Sequence, residues 1–351
     1  MRAHLLEGAL SAAELHVHPA QDLPIAAPAE LRYERTVPRS LVHVRAVSEV
    51  FTTDSAQIGP DEYAIAVQLP RVHTLWADRQ YPFHDPLISM EVSRQSAFQI
   101  MHQHYEVPPD WHFILRWLEF NVRNLEAYAD DRRSPPEGHC RGRLLDRTRG
   151  DGFVTMEFEG DLTLRGAVAM SMSGAIHGMR DAEYNLLRGQ SRGRKDLSTA
   201  PSPPSAGRLD RELVGRGAQD NVVLVDGGEV GDDEFRYVLF VDEGHAAFFD
   251  HPHDHVTGSL ILEFYRQAAI ATAYRARGLA PSTAIVLRCA LTFLDFAELE
   301  AETECTARIV GDSDDGAVTV AVALRQLGKD LGNAELTLAP SETAAPGGSG
   351  V

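Results

Sequence analysis

Three histidines and two aspartates fall within six residues at Asp250-His251-Pro252-His253-Asp254-His255. An apolar run follows, interrupted by Glu263, Arg266 and Gln267. Imidazoles and carboxylates exchange protons near neutral pH. A guanidinium grips a phosphate or carboxylate through two parallel N–H bonds. Spacings of three and four put Glu263, Arg266 and Gln267 on one stripe of a helix. Leu260, Ile261, Leu262, Phe264, Tyr265, Ala268 and Ala269 cover its other faces, so the helix is enclosed on all sides. A charge there must be paired or must line a polar cavity. One use is a Glu–Arg pair that fixes how parts of the chain dock. The other is a reactive site, favoured by the His/Asp loop just ahead of the helix. In that reading Glu263, His251, Asp254 and His255 are candidate acids and bases. The helix start after Thr257-Gly258 offers backbone N–H groups to an oxyanion. The histidine cluster could also hold a metal, but contiguous loop residues suit that poorly. No cofactor is expected: no Gly-rich phosphate loop is present, and Gly227-Gly228-Glu229-Val230-Gly231 reads as a hairpin turn.

The stripe occurs twice. Shifting the chain by 172 residues, which brings Glu91 onto Glu263, lays "LVHVRAVSEVFTTD" from Leu41 over "LVGRGAQDNVVLVD" from Leu213. The same shift lays "DEY" at Asp61 over "DEF" at Asp233, "EVSRQSA" over "EFYRQAA", and "LRW" at Leu115 over "LRC" at Leu287. One offset matching four blocks marks a tandem duplication. Glu91, Arg94 and Gln95 therefore repeat the stripe, and Arg116 repeats as Arg288. The loops ahead of the two helices differ. The first has His84-Asp85-Pro86, with Asp85 and Pro86 suited to a helix start, and His251 falls on Arg79.

Each unit reads as two strands, one long helix and three or four strands. In the second unit the helix spans 258–277 and stops at Gly278; strands are expected at 221–225, 234–241, 283–296, 302–310, 317–328 and 333–339. In the first the helix ends near Val107, and strands are expected from 41 and at 112–122, 139–148, 153–159 and 162–171. The chain divides into an extension at 1–38 with a short helix, a unit at 39–180, a flexible Ser/Pro/Gly/Arg linker at 181–208, a unit at 209–340 and a disordered tail at 341–351. His102, at the end of the first helix, reads as a surface residue.

A net charge of −18 argues against a nucleic-acid partner. No apolar run is long enough to span a membrane. Cys140, Cys289 and Cys305 are scattered, which suits a reducing cytoplasm, and Cys289 reads as core rather than nucleophile. Only two lysines occur, Lys195 and Lys329, so arginine supplies nearly all positive charge.

A His-Pro loop, then Gly258, Glu263 and Gln267 at these spacings, resembles the hotdog-fold hydroxyacyl carrier-protein dehydratases. The loop is two residues shorter here and Arg266 is added. With the paired Glu-x-x-Arg-Gln motifs and "LVH…EVFTTD", the chain from Leu41 to Ala339 is more similar to the A-factor biosynthesis (AfsA-type) proteins. That resemblance implies an α+β double hotdog: two tandem units, each a long central helix wrapped by an antiparallel β-sheet, packed as an intramolecular pseudo-dimer with one continuous sheet. It implies an acyltransferase that joins a β-ketoacyl thioester, carried on acyl carrier protein, to dihydroxyacetone phosphate on the way to a γ-butyrolactone or butenolide signal. Glu91, Glu263, His251, His255 and Asp254 would be catalytic. Arg94, Arg266, Gln95, Gln267, Gly258, His84 and Asp85 would bind substrate. Arg132, Arg133, Arg141 and Arg143 are candidates for carrier-protein docking, and a homodimer is conceivable. A dehydratase or thioesterase, and a non-catalytic butyrolactone-binding regulator, remain alternatives. In the dehydratases the histidine loop of one unit meets the helix acid of its partner. His251 is therefore expected nearer Glu91 than Glu263, and Glu263 is expected to face His84-Asp85. The two composite sites are then unequal. The expected working site is built on the second unit's His/Asp loop, with Glu263 also near its cavity because the shortened loop changes the pairing.

Overall fold

The computed structural model describes residues 31–344. In the first unit β1 (Thr52–Gly59) and β2 (Glu62–Gln68) precede helix α1 (Ile88–Gln103). Strands β3 (His112–Val122), β4 (Glu137–Gly150), β5 (Phe153–Leu164) and β6 (Ala167–Met179) follow. Helix α2 (Asp181–Gly193) joins the units. The second unit repeats the plan with β7 (Leu224–Gly231), β8 (Glu234–Leu239), α3 (Gly258–Arg277), β9 (Ala284–Phe293), β10 (Thr303–Asp312), β11 (Val318–Gln326) and β12 (Lys329–Pro340). A short helix, α4 (Ser341–Ala344), ends the described chain.

All twelve strands form one antiparallel sheet in the order β1-β2-β4-β5-β6-β3-β9-β12-β11-β10-β8-β7. Each half has the same internal order, and the halves meet at β3–β9. The seam pairs Trp117 with Thr292, Leu118 with Leu291, Glu119 with Ala290 and Phe120 with Cys289. The 172-residue offset exchanges these pairs with one another. The seam is therefore isologous, as in a C2 dimer, and the double hotdog is a covalent pseudo-dimer.

Helix α3 has the expected bounds. Thr257 caps it by accepting from the Leu260 N–H at 3.3 Å, and Gly278, at φ 70°, receives its C-terminus. Every residue from Leu260 to Ala273 is buried. Helix α1 starts two residues later than Pro86, with the Asp85 carboxylate accepting from the Leu87 N–H at 3.0 Å. The three cysteines are free and buried, and burial pushes the Cys289 thiol far up, as fits core.

Several expectations are corrected. The strand expected from Leu41 begins at Thr52; short 3-10 turns at Arg39–Leu41 and Val47–Glu49 replace its start, and Gln95 takes the Glu49 carbonyl and the Phe51 N–H just ahead of it. Residues 162–164 extend β5, and the turn comes at Arg165-Gly166. The glycines from Gly227 to Gly231 lie in β7, and Asp232-Asp233 makes the turn. Residues 1–30 and 345–351 lie outside the described residues, with most of the expected extension and tail.

The largest correction is the linker. Its first half is helix α2, docked on the second unit by ion pairs that composition does not reveal. Glu298, fully buried, accepts from Arg188 at 2.9 and 3.0 Å, from Arg192 at 2.6 Å and from Lys195 at 2.8 Å. Arg188 also reaches Asp254 at 2.9 Å, and Ser191 reaches Asp295 at 2.6 Å. Burial raises the Glu298 pKa, but hydrogen bonds from Arg188 and Lys195 overcome it and hold the group at about 2. A depressed carboxylate stabilises the fold above its unfolded pKa, near 4.5, and that contribution is lost as pH falls towards about 2. Glu298→Gln should cost about 3–5 kcal/mol at neutral pH, because buried cations lose their partner. It should also flatten the decline in urea midpoint between about pH 4.5 and 2.

Candidate functional site

The repeated stripes start from the same brace. Gln95 accepts from the Phe51 N–H at 2.8 Å and donates to the Glu49 carbonyl at 2.7 Å. Gln267 accepts from the Val223 N–H at 2.9 Å and donates to the Asn221 carbonyl at 2.7 Å. Each also donates to its own glutamate, at 2.7 Å to Glu91 and 2.6 Å to Glu263. These amides tie the helix to the segment before the first strand and aim the carboxylate. Both ends are occupied, so the geometry gives Gln95 and Gln267 a positioning task rather than the substrate-binding one expected.

Around Glu263 the site is shut. The carboxylate is 1% exposed and meets the fully buried Arg216 through two hydrogen bonds, Nε at 2.9 Å and Nη2 to the other oxygen. Arg216 also donates to the carbonyls of Leu75 at 2.8 Å and Asp78 at 3.0 Å in the first unit. Arg266 lies 3.4 Å from Glu263 and 3.5 Å from Asp85. Burial raises the Glu263 pKa, but Arg216 and then Arg266 reverse it and keep the group ionised. His84 is buried 4.0 Å from Asp130, and burial, with Arg79 adding, lowers its pKa to about 4. Glu263, Arg266 and Asp85 thus come together across the unit boundary, but inside a closed ion-pair network, while His84 turns to Asp130. Arg266 Nη2 and Asp85 Oδ2 have no hydrogen-bond partner there.

Around Glu91 the site is open. Glu91 and Arg94 form a two-point pair at 2.6 and 2.8 Å, with side chains 17% and 31% exposed. The second unit's loop supplies Asp250, which accepts from the Arg45 N–H at 2.6 Å and adds to the field that raises the Arg94 pKa. Its pseudosymmetric counterpart is Asp78, which accepts from the Gly217 N–H at 2.8 Å. Asp250 also holds His251 Nδ1, and the His251 side chain is 28% exposed. The His253 ring lies 4.1 Å from the His251 ring, and burial, with the neighbouring imidazoles, lowers its pKa to about 4. Asp250, His251 and His253 bring ligand-type atoms within 4.8 Å of one another. The hydrogen bond between Asp250 and His251 makes the same pair a carboxylate–imidazole dyad. Asp254 and His255 face away, towards helix α2: Asp254 accepts from His255 at 2.6 Å, Tyr184 at 2.8 Å and Arg188 at 2.9 Å.

What separates the clefts is a substitution the offset contained unread. Arg216 falls on Val44, so no cation reaches Glu91 from that position. The preceding pair is His43 and Gly215, both left-handed, at φ 54° and 67°. A histidine holding that conformation marks a constrained position. His43 Nε2 lies 2.9 Å from His102 Nε2, and His102 Nδ1 lies 2.6 Å from the Val107 carbonyl. A proton on His102 Nδ1 makes its Nε2 the acceptor, so His43 donates. Burial, then His102 and Arg94, lowers the His43 pKa to about 3. His102 is buried, not the surface residue expected. Arg288 pairs with Glu119 at 2.9 Å on the seam.

The locked pair has a measurable consequence. Arg216→Ala strands a buried carboxylate and should lower stability by about 3–5 kcal/mol. Glu91→Gln, at the open stripe, should cost about 1 kcal/mol or less. Urea midpoints compare the two.

Comparison with known proteins identifies the family. The family described as the A-factor biosynthesis hotdog domain (AfsA) matches residues 25–132 and 197–341. A 2-oxo-3-(phosphooxy)propyl 3-oxoalkanoate synthase of Streptomyces virginiae is 32% identical over 235 residues, covering 67% of this chain and 76% of that protein. One of the same name from Streptomyces griseus is 27% identical over 319 residues, covering 86% and 95%. With both units matched, the chain belongs to the AfsA family of A-factor biosynthesis hotdog proteins.

Proposed function

We propose that the chain joins a 3-oxoacyl thioester to dihydroxyacetone phosphate, releasing the thiol and forming the 2-oxo-3-(phosphooxy)propyl ester after which its relatives are named. The observation that carries the site assignment is the half-buried Asp250–His251 dyad beside the Glu91–Arg94 pair, in the one of two repeat-matched clefts that no Arg216 closes. Asp250 holds Nδ1, which leaves His251 Nε2 to take the proton from the attacking hydroxyl. The alkoxide adds to the thioester carbonyl. The N–H groups of the first turn of α3, at Gly258 and Ser259, receive the oxyanion. As the tetrahedral adduct collapses, the C–S bond breaks and His251 returns the proton to the thiolate. Arg94, aimed by Glu91, and the exposed Arg45 offer guanidinium N–H groups to the phosphate. Glu263 and Arg266 hold the scaffold.

The finer assignments are proposals on the same footing. Acyl carrier protein is the thiol carrier, the setting is cytoplasmic, and neither nucleic acid nor membrane takes part. Arg132 and Arg133 suit an acidic carrier better than Arg141 and Arg143, which pair with Glu62 and Glu159.

Purified protein with a 3-oxoacyl pantetheine should form the phosphorylated ester, detected by mass, only when dihydroxyacetone phosphate is added. Free acid without ester would mean a thioesterase, and no turnover a binding protein. His251→Ala should lower kcat by about 10²–10⁴. Arg94→Lys should raise KM for dihydroxyacetone phosphate about tenfold, against little change for the thioester, because lysine lacks the planar fork. Equal changes in both KM values would remove Arg94 from phosphate binding. Val44→Arg, which copies the lock of the second unit, should abolish turnover in a folded protein.

A further inference from the structure

The two units also differ beneath their helices. In the first, a cavity of about 60 Å³ lies between α1 and strands β4 and β5. Ser93, Ser96 and Ala97 face it from the helix, and Gly142 and Gly160 from the sheet. The ladder runs Tyr63, Gly142, Gly160 across β2, β4 and β5. The matching ladder runs Phe235, Ala307, Val322 across β8, β10 and β11. The second unit thus has Val322 where the first has Gly160, and the fully buried Tyr265 where the first has Ser93. The same space is filled in one repeat and left free in the other.

Its lining indicates what enters it: Ile65, Ile100, Leu144 and Phe158 give it a largely apolar wall. The large side chains around it include Met101, Met156 and Met172, unbranched thioethers that reshape around an apolar guest. Helix α1 carries the Glu91 stripe on one face and this space on the other. One helix diameter, about 10 Å, separates them.

We propose that this space receives the distal end of the acyl chain, so that the first unit sets chain-length preference. The inference rests on the acyl-transfer reading for the identity of the chain, and its test does not require transfer. Calorimetry with 3-oxobutanoyl and 3-oxodecanoyl pantetheine should show the wild-type protein binding the longer chain at least about tenfold more tightly. Ser96→Leu or Ala97→Leu should erase that difference and leave the short chain unaffected. Folded variants that keep the wild-type length preference, or that lose both ligands equally, overturn the proposal. A decanoyl chain with a terminal diazirine tests the wild-type protein directly: labelling of α1, β4 or β5 supports the assignment, and labelling of β9–β11 overturns it. If the chain binds with this pattern but no ester forms with dihydroxyacetone phosphate, the transfer reading fails and the pocket stands.

Discussion

The buried pair of Arg216 and Glu263 is the interaction on which the rest of this molecule depends. Neither side chain reaches solvent, so each needs the other and every remaining hydrogen bond in place. Arg216 meets that demand by also binding the carbonyls of Leu75 and Asp78, which belong to the other unit. The charge that neutralises Glu263 is therefore also a clamp between repeats. Gln267 completes the carboxylate's shell while holding the backbone at Asn221 and Val223. A constellation that looks reactive in sequence has become a structural keystone.

The sheet seam explains how one of two clefts can be given over to support. Its pairs exchange under the repeat offset, so the duplication carries two equivalent clefts by symmetry, each made from one unit's helix and the other's loop. Joining the copies in one chain frees each position to differ. Three differences then divide the labour: Val44 against Arg216, His43 against Gly215, and His251 against Arg79. The first leaves Glu91 without a buried arginine, the second sets an imidazole beside His102, and the third places an imidazole on the loop. Helix α2 steadies that loop through Arg188 and Tyr184 on Asp254, so the segment between the repeats contributes to the order of the open cleft.

The repeat, the enclosed helix α3 and most strands were legible because a fixed offset and hydrophobic periodicity are local signals. The pseudo-dimer rule set the Asp85 loop opposite the Glu263 stripe, where Arg266 meets Asp85, but it gave no signal for the contact of Asp250 with the Arg45 backbone. Helix α2 was not legible. Its buried face is Tyr184, Arg188 and Ser191, and the partners of that face, Asp254, Asp295 and Glu298, lie far along the chain. Arg216 was missed for the opposite reason: its signal was present in the alignment of Val44 with Arg216, but it departs from the repeat. Attention to matches hides such differences. Burial of His102 likewise depends on His43, which approaches from outside the helix.

The central claim is that the duplication leaves one working cleft per chain. Calorimetric titration with dihydroxyacetone phosphate, in the presence of a thioester analogue that cannot transfer its acyl group, counts the clefts directly. One phosphate ligand per chain is the result this account predicts. Two equivalent ligands per chain would show that the Arg216–Glu263 lock opens to substrate, and would contradict it.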